Sequence, residues 1–151
     1  MGIIHIQGHG VPQCFVEAAM WFKKAAEQHH SVAQVNLGWL YENGFGVELD
    51  LEQAAYWYRT AAELGNPTGQ NNIGSMYMHG YGVLQSYEQA VFWYRQAAAQ
   101  NNARAQAYLG LMYEHGTGVE QDYKQAIYWY TLAADGGNAS ARAALERLLN
   151  M

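Results

Sequence analysis

The sequence predicts an all-α fold, a solenoid of antiparallel helix pairs with a 36-residue period, and three observations predict it. The stretch 37–65, LGWLYENGFGVELDLEQAAYWYRTAAELG, returns from Ile73 as IGSMYMHGYGVLQSYEQAVFWYRQAAAQN and from Leu109 as LGLMYEHGTGVEQDYKQAIYWYTLAADGG. Trp21, Trp57, Trp93 and Trp129 stand 36 residues apart, as do Gly10, Gly46, Gly82 and Gly118 and the Ala pairs ending at Ala26, Ala62, Ala98 and Ala134. Within each unit the apolar residues fall at helical spacing. A fixed period of this length marks units that bury their apolar faces only by stacking on neighbours.

The 151 residues read as one domain: a partial unit over 1–30, full units over 31–66, 67–102 and 103–138, and a capping helix over 139–151. Residues MGIIHIQGHGV align with LGWLYENGFGV, so the chain is expected to open inside the first helix of a unit. Met1–Gln7 are too few for a stable helix alone. A helix over 12–28 follows, with Ala18, Trp21, Phe22, Ala25 and Ala26 on its packed face. Cys14 stands where later units carry Asp50, Ser86 and Asp122. Those three are strong N-caps, each three residues ahead of Gln53, Gln89 or Gln125 in capping-box spacing. Cysteine caps poorly, so this helix should start less firmly.

Each full unit then reads as two helices. The first runs over 31–43, with Ala33, Leu37, Leu40 and Tyr41 on one face, and stops at Gly44; Gly80 and Gly116 repeat the stop. A Gly-x-Gly-Val link turns the chain, and Val47, Val83 and Val119 tuck it against the core. The second helix runs over 51–63, with Ala54, Trp57, Tyr58, Ala61 and Ala62 inward. Asn66 and Pro67 supply a cap and a first-turn proline for the next helix. Further helices are expected over 68–79, 87–99, 103–115, 123–134 and 139–149. The last carries Arg142, Glu146 and Arg147, a polar face suited to a terminal cap. Gly38, Gly74 and Gly110 sit in mid-helix, where glycine costs ~1 kcal/mol against alanine. An aromatic from the partner helix, Trp57 or Tyr58 and their equivalents, should fill the space above them.

Half the residues are hydrophobic, which excludes a disordered chain, and the net charge of −5 argues against a nucleic-acid partner. No apolar run approaches the ~20 residues needed to span a bilayer, so no membrane insertion is expected. The start lacks a basic segment followed by a long apolar one. A single cysteine excludes an internal disulfide framework. A reducing, cytoplasmic compartment is favoured from the chain as given, with a periplasmic or secreted protein open if a leader is missing.

The pattern Ala33-x3-Leu37-Gly38-x2-Tyr41-x2-Gly44-x-Gly46-Val47-x2-Asp50-x3-Ala54-x2-Trp57-Tyr58-x2-Ala61-Ala62-x2-Gly65 resembles the Sel1-like repeat, a relative of the tetratricopeptide repeat. The departures are Ser86 for Asp, Asn101 for the closing Gly, Cys14 at the first cap and Ile73 for Leu. The resemblance implies a right-handed superhelix whose first helices line a concave face, and a role as an adaptor that binds other proteins. It points to Val35, Trp39, Glu42 and Asn43 in the first full unit as groove residues. The matching sets are Asn71, Ser75, Met78 and His79, then Ala107, Leu111, Glu114 and His115. Trp39 either anchors a partner, as exposed tryptophans do at interfaces, or packs on the neighbouring partial unit.

His79 and His115 occupy equivalent helix ends, where an imidazole suits the helix dipole; no third firm ligand joins them, so no metal or other cofactor is expected. Glu42 and Glu114 lie two units apart, too far for a carboxylate pair. No phosphate loop, nucleophile elbow or zinc-protease motif is present. Phe45, Tyr81, Thr117 and His9 sit between the loop glycines and could form a second contact surface. The function expected is a non-catalytic scaffold that binds a protein or peptide in its groove. The alternative is a bacterial envelope-associated ligand binder or hydrolase acting on cell-wall-type substrates, which would need a pocket of convergent polar groups. Homodimerisation through apolar residues around Trp21 and Phe22, left uncovered by the incomplete first unit, is a further expectation.

Overall fold

In the structure, a computed structural model that describes residues 10–151, the described chain is helical. The elements are α1 (Gly10–Glu27), α2 (Ser31–Asn43), α3 (Leu51–Glu63), α4 (Pro67–His79), α5 (Tyr87–Ala99), α6 (Ala103–His115), α7 (Tyr123–Asp135) and α8 (Ala139–Leu149). Each packs on the next in sequence, so the units α2–α3, α4–α5 and α6–α7 stack as an α-solenoid. First helices also approach one another, α2 with α4 and α6 with α8. That places them on the inner, shorter side of the curve.

The helix starts follow the expected chemistry with one difference. Asp50, Ser86 and Asp122 accept hydrogen bonds from the N–H groups of Gln53, Gln89 and Gln125. The cap's own N–H, which a full capping box would satisfy with the Gln side chain, instead donates to the carbonyl of Tyr41, Tyr77 or Tyr113 at 2.9–3.0 Å. The preceding helix of the same unit takes over that arm of the box. Asn66, Asn102 and Asn138 cap α4, α6 and α8 through Gly69, Ala105 and Ala141.

Cys14 is not a cap. Helix α1 begins at Gly10 and runs through it, because without an Asp or Ser acceptor nothing competes for the first-turn N–H groups. Pro12 falls in the first turn, where its missing N–H costs nothing. The expectations for Met1–His9 lie outside the described residues.

The two loop glycines do different work. Gly44, Gly80 and Gly116 end the first helices in the left-handed region, at φ 68°, 71° and 68°. At Gly46 and Gly82 a Cβ would run into the carbonyl oxygen of Phe15 or Leu51. Each loop therefore lies directly on the second helix of the preceding unit, and only glycine permits that approach.

The core is built from small residues around large ones: Ala54, Ala61, Ala90, Ala97, Ala105 and Ala126 are fully buried beside Tyr58, Tyr94, Ile73, Met76 and Leu109. Tyrosine, not tryptophan, covers the mid-helix glycines: a Cβ on Gly38, Gly74 or Gly110 would meet the ring of Tyr58, Tyr94 or Tyr130 at 2.6–2.9 Å. Trp57, Trp93 and Trp129 are only half-buried, each edge-on to the aromatic residue before it. Trp21, expected inward, is 68 % exposed.

Adjacent units are tied by a second periodic device. Gln34, Gln70 and Gln106 are buried, and their amides donate to the carbonyls of Ala26, Ala62 and Ala98 at 3.0–3.2 Å. Those carbonyls end the preceding second helix, where each also accepts a turn N–H three residues on, from His29, Gly65 or Asn101. Arg59 and Arg95 add cation–π contacts to Tyr77 and Tyr113 of the next unit, at 5.3 and 5.9 Å.

Candidate functional site

The inner face is built over three tyrosines of the second helices, Tyr58, Tyr94 and Tyr130. Burial of each ring brings a hydroxyl beneath the first helices, and a buried hydroxyl needs a partner. Tyr58 donates to Glu42 at 2.6 Å and Tyr130 to Glu114 at 2.7 Å. The middle unit carries Met78 at that place, and Tyr94 pairs with Ser75 at 2.8 Å instead. Burial raises all three phenols well above their ordinary value of 10, reinforced for Tyr58 and Tyr130 by the carboxylate each one faces.

At the far end Glu114 also receives both guanidinium arms of Arg147, at 2.7 and 3.0 Å. These hydrogen bonds are the main cause that holds its carboxyl below the usual 4.5, against the opposing effect of burial. Arg147 is correspondingly raised. This is a three-residue network, Tyr130–Glu114–Arg147, in which the arginine side chain remains 55 % exposed.

The residues expected in the groove divide accordingly. Trp39 and Leu111 stay 45 % and 43 % exposed, and Asn43, His79 and His115 are exposed at the helix ends. Val35, Glu42, Ser75, Met78 and Ala107 are half-buried. Asn71 and Glu114 are buried, which withdraws them from direct contact; Glu114 instead sets the network below the surface. Trp39 does pack on the first unit, in a cluster with Phe15 and Phe45: Phe15 stacks on Phe45 at 4.9 Å and Trp39 tilts against Phe45 at 5.3 Å. His79 stacks on Tyr81 at 5.2 Å. Of the residues between the loop glycines, Phe45 and Tyr81 are thus held against their own unit's first helix, Thr117 is half-buried, and His9 lies outside the described residues.

Sequence reasoning passed over the buried glutamines, although Gln34, Gln70 and Gln106 carry the same 36-residue spacing as the tryptophans. It also passed over Arg147 and Tyr108 as inner-face residues. Tyr108 stacks on Tyr94 at 4.9 Å with their planes 20° apart. One unit further on, Ala144 occupies the place of Tyr108, and a cleft of about 290 Å³ lies between α6 and α8, lined by Tyr108 itself together with Ala107, Leu111, Ser140, Ala144 and Arg147. No group of three or more metal-ligating side chains is found among the described residues, and none of their helices is long and apolar enough to cross a membrane.

The profile of the Sel1 repeat matches residues 1–30, 31–66, 67–102 and 103–138. Among solved structures, a Sel1 repeat protein from Oxalobacter formigenes is similar at 39 % identity and a TM-score of 0.82, over 87 % of this chain and 54 % of that one. Protein c5321 of uropathogenic Escherichia coli, a protective antigen displaying an SLR fold, is 42 % identical with a TM-score of 0.82, over 84 % of this chain and 27 % of that one. The chain thus spans about half and about a quarter of those two proteins. Cysteine-rich protein B of Helicobacter pylori, at 23 % identity and a TM-score of 0.72, shares the fold over 92 % of this chain and its own full length. No curated protein sequence matches the chain.

Proposed function

Because the chain belongs to the Sel1 repeat family, whose members generally act as protein-interaction scaffolds, we propose that its inner face binds a segment of another protein and performs no chemistry of its own. One observation carries this reading: the first helices keep Trp39 and Leu111 exposed above a floor whose tyrosine hydroxyls are all satisfied internally. Such a floor is rigid and offers a partner shape and apolar area rather than reactive groups. The polar groups at this end of the inner face point the same way, since Glu114, Tyr130 and Arg147 are engaged with one another rather than aimed at a common substrate position.

The test is a variant carrying Trp39→Ala and Leu111→Ala. Both side chains are substantially exposed, so the helical signal should persist, with the melting temperature lowered only by the loss of the Trp39 contacts to Phe15 and Phe45. Partners captured from the native host with the parent chain should be lost from the variant. Recovery of the same partners by the folded variant would remove the inner face as the binding surface.

A further inference from the structure

Three equivalent junctions join a second helix to the first helix of the next unit, and they are not closed alike. Lys23, Arg59 and Arg95 stand 36 residues apart on the second helices, and Tyr41, Tyr77 and Tyr113 stand 36 apart on the first helices that follow. Arg59 lies over the ring of Tyr77 at 5.3 Å, and Arg95 over that of Tyr113 at 5.9 Å with a further hydrogen bond to its hydroxyl. Lys23 makes no such contact with the half-buried Tyr41. Its ammonium is a compact charge on a flexible stem, without the planar fork that lets arginine lie on a ring.

The first junction holds an open cavity of about 580 Å³ between α1, the α2–α3 loop and α3, lined among others by Lys23, Tyr41, Glu48, Asp50 and Trp57. At the third junction the cavity beside Arg95 is about 380 Å³, and its lining includes neither Tyr113 nor Trp129. The indole N–H of Trp129 is buried there. The open cavity sets two carboxylates against the single ammonium of Lys23, a balance that favours a further cation. Glu48 is exposed, and Asp50 commits only Oδ1 to the cap of α3. Tyr41 follows Trp39 by two residues on α2, about 200° around the helix, so the cavity belongs to a surface other than the inner face.

We propose that this cavity takes an arginine side chain of a partner protein, with its guanidinium over Tyr41 and its N–H donors on Glu48 and Asp50. The contact is one the chain already makes with itself at Tyr77 and Tyr113, here supplied from outside. The cavity gives the protein a second attachment point, apart from the inner face, and Lys23 is the residue that keeps it open.

The experiment uses the full chain and blocked peptides of the form Gly-Ser-Arg-Ser-Gly, with lysine or citrulline at the central place as controls, followed by amide and indole NMR shifts. The arginine peptide is expected to shift the Trp57 indole and the amides of Val47 and Glu48 saturably, leaving Trp39 and Leu111 unmoved. It should bind about fivefold or more tightly than the lysine and citrulline peptides. Lys23→Arg closes the junction from within and should abolish binding while remaining folded, whereas Lys23→Met leaves it open and should retain binding. Glu48→Gln should weaken binding. Equal binding of the citrulline peptide, undiminished binding to folded Lys23→Arg, or an unmoved Trp57 indole overturns the inference. Dilution of the chain alone separates a different partner from a second copy. A Trp57 indole signal that stays constant supports the proposal, and one that shifts with protein concentration overturns it by assigning the arginine to another copy of this chain.

Discussion

Tyr94 occupies the space that a side chain on Gly74 would need: a Cβ at Gly74 would come within 2.9 Å of the ring's Cδ1 and Cε1. The ring cannot yield, because it is fully buried, held by Ser75 on its hydroxyl and covered by Tyr108 on its face. Two effects oppose each other in Gly74→Ala. Helix propensity favours alanine by ~1 kcal/mol, while overpacking a fixed core costs typically ~1–3 kcal/mol. The clash should win, and denaturant titration should show a net loss of stability. An equal or more stable variant would mean that α4 and α5 can move apart.

The same tyrosines explain residues that vary between units. Tyr58 and Tyr130 each meet a glutamate sixteen positions earlier, Glu42 and Glu114. Tyr94 has Met78 at that distance and relies on Ser75. Ser75→Ala should therefore strand a buried hydroxyl and cost ~1–3 kcal/mol. Adding Met78→Glu should restore most of that loss by rebuilding the arrangement of the flanking units. A thermodynamic cycle over the two single variants and the double variant measures this. Additive losses would show that a carboxylate introduced at position 78 cannot reach the hydroxyl.

The helices and turns were legible in the sequence because their causes are local. Asp50, Asn66 and Gly44 act within one turn of where they stand, and the 36-residue period repeats the signal. What escaped was contact across elements. Whether Trp57 or Tyr58 faces Gly38 depends on the rotation of α3 against α2, which a helical pattern leaves open by one residue. The burial of Glu114 likewise depends on α8 packing over α6, which brings Arg147 onto it. Arg147 was read only as a polar capping residue, since its partner Glu114 lies 33 positions away. Cys14 was misread because a missing cap was taken to weaken a helix start, whereas the helix simply continued N-terminally.

The buried glutamines give a third test. Gln70 donates to the Ala62 carbonyl at 3.2 Å and accepts from Gln100 at 3.0 Å. Gln70→Met keeps the volume but removes one of the donors to the Ala62 carbonyl, which retains the Gly65 N–H, together with the oxygen that accepts from Gln100, at a cost of ~1 kcal/mol. Gln100→Ala removes an exposed side chain and should cost less than Gln70→Met. Melting of the two variants side by side decides whether the unit junction is held by the buried amide or by apolar contact alone. Equal melting temperatures would favour the second.

Acid should act on the Glu114–Arg147 junction before it acts on the apolar core. The folded-state value of Glu114 is depressed, first through its hydrogen bonds from Arg147, so its contribution to stability is fully present above the usual carboxylate value of 4.5. That contribution is lost as the pH falls through the depressed folded value, where the carboxyl takes up its proton and the pairing with Arg147 ends. Arg147→Met removes the cation and leaves Glu114 buried with Tyr130 as its remaining donor. The variant should therefore melt well below the parent at pH 7, and the gap should narrow progressively below pH 4.5. Thermal melts from pH 3 to pH 8 measure the gap directly. A constant difference across that range would show that Arg147 acts by packing over α6 rather than through the charge on Glu114.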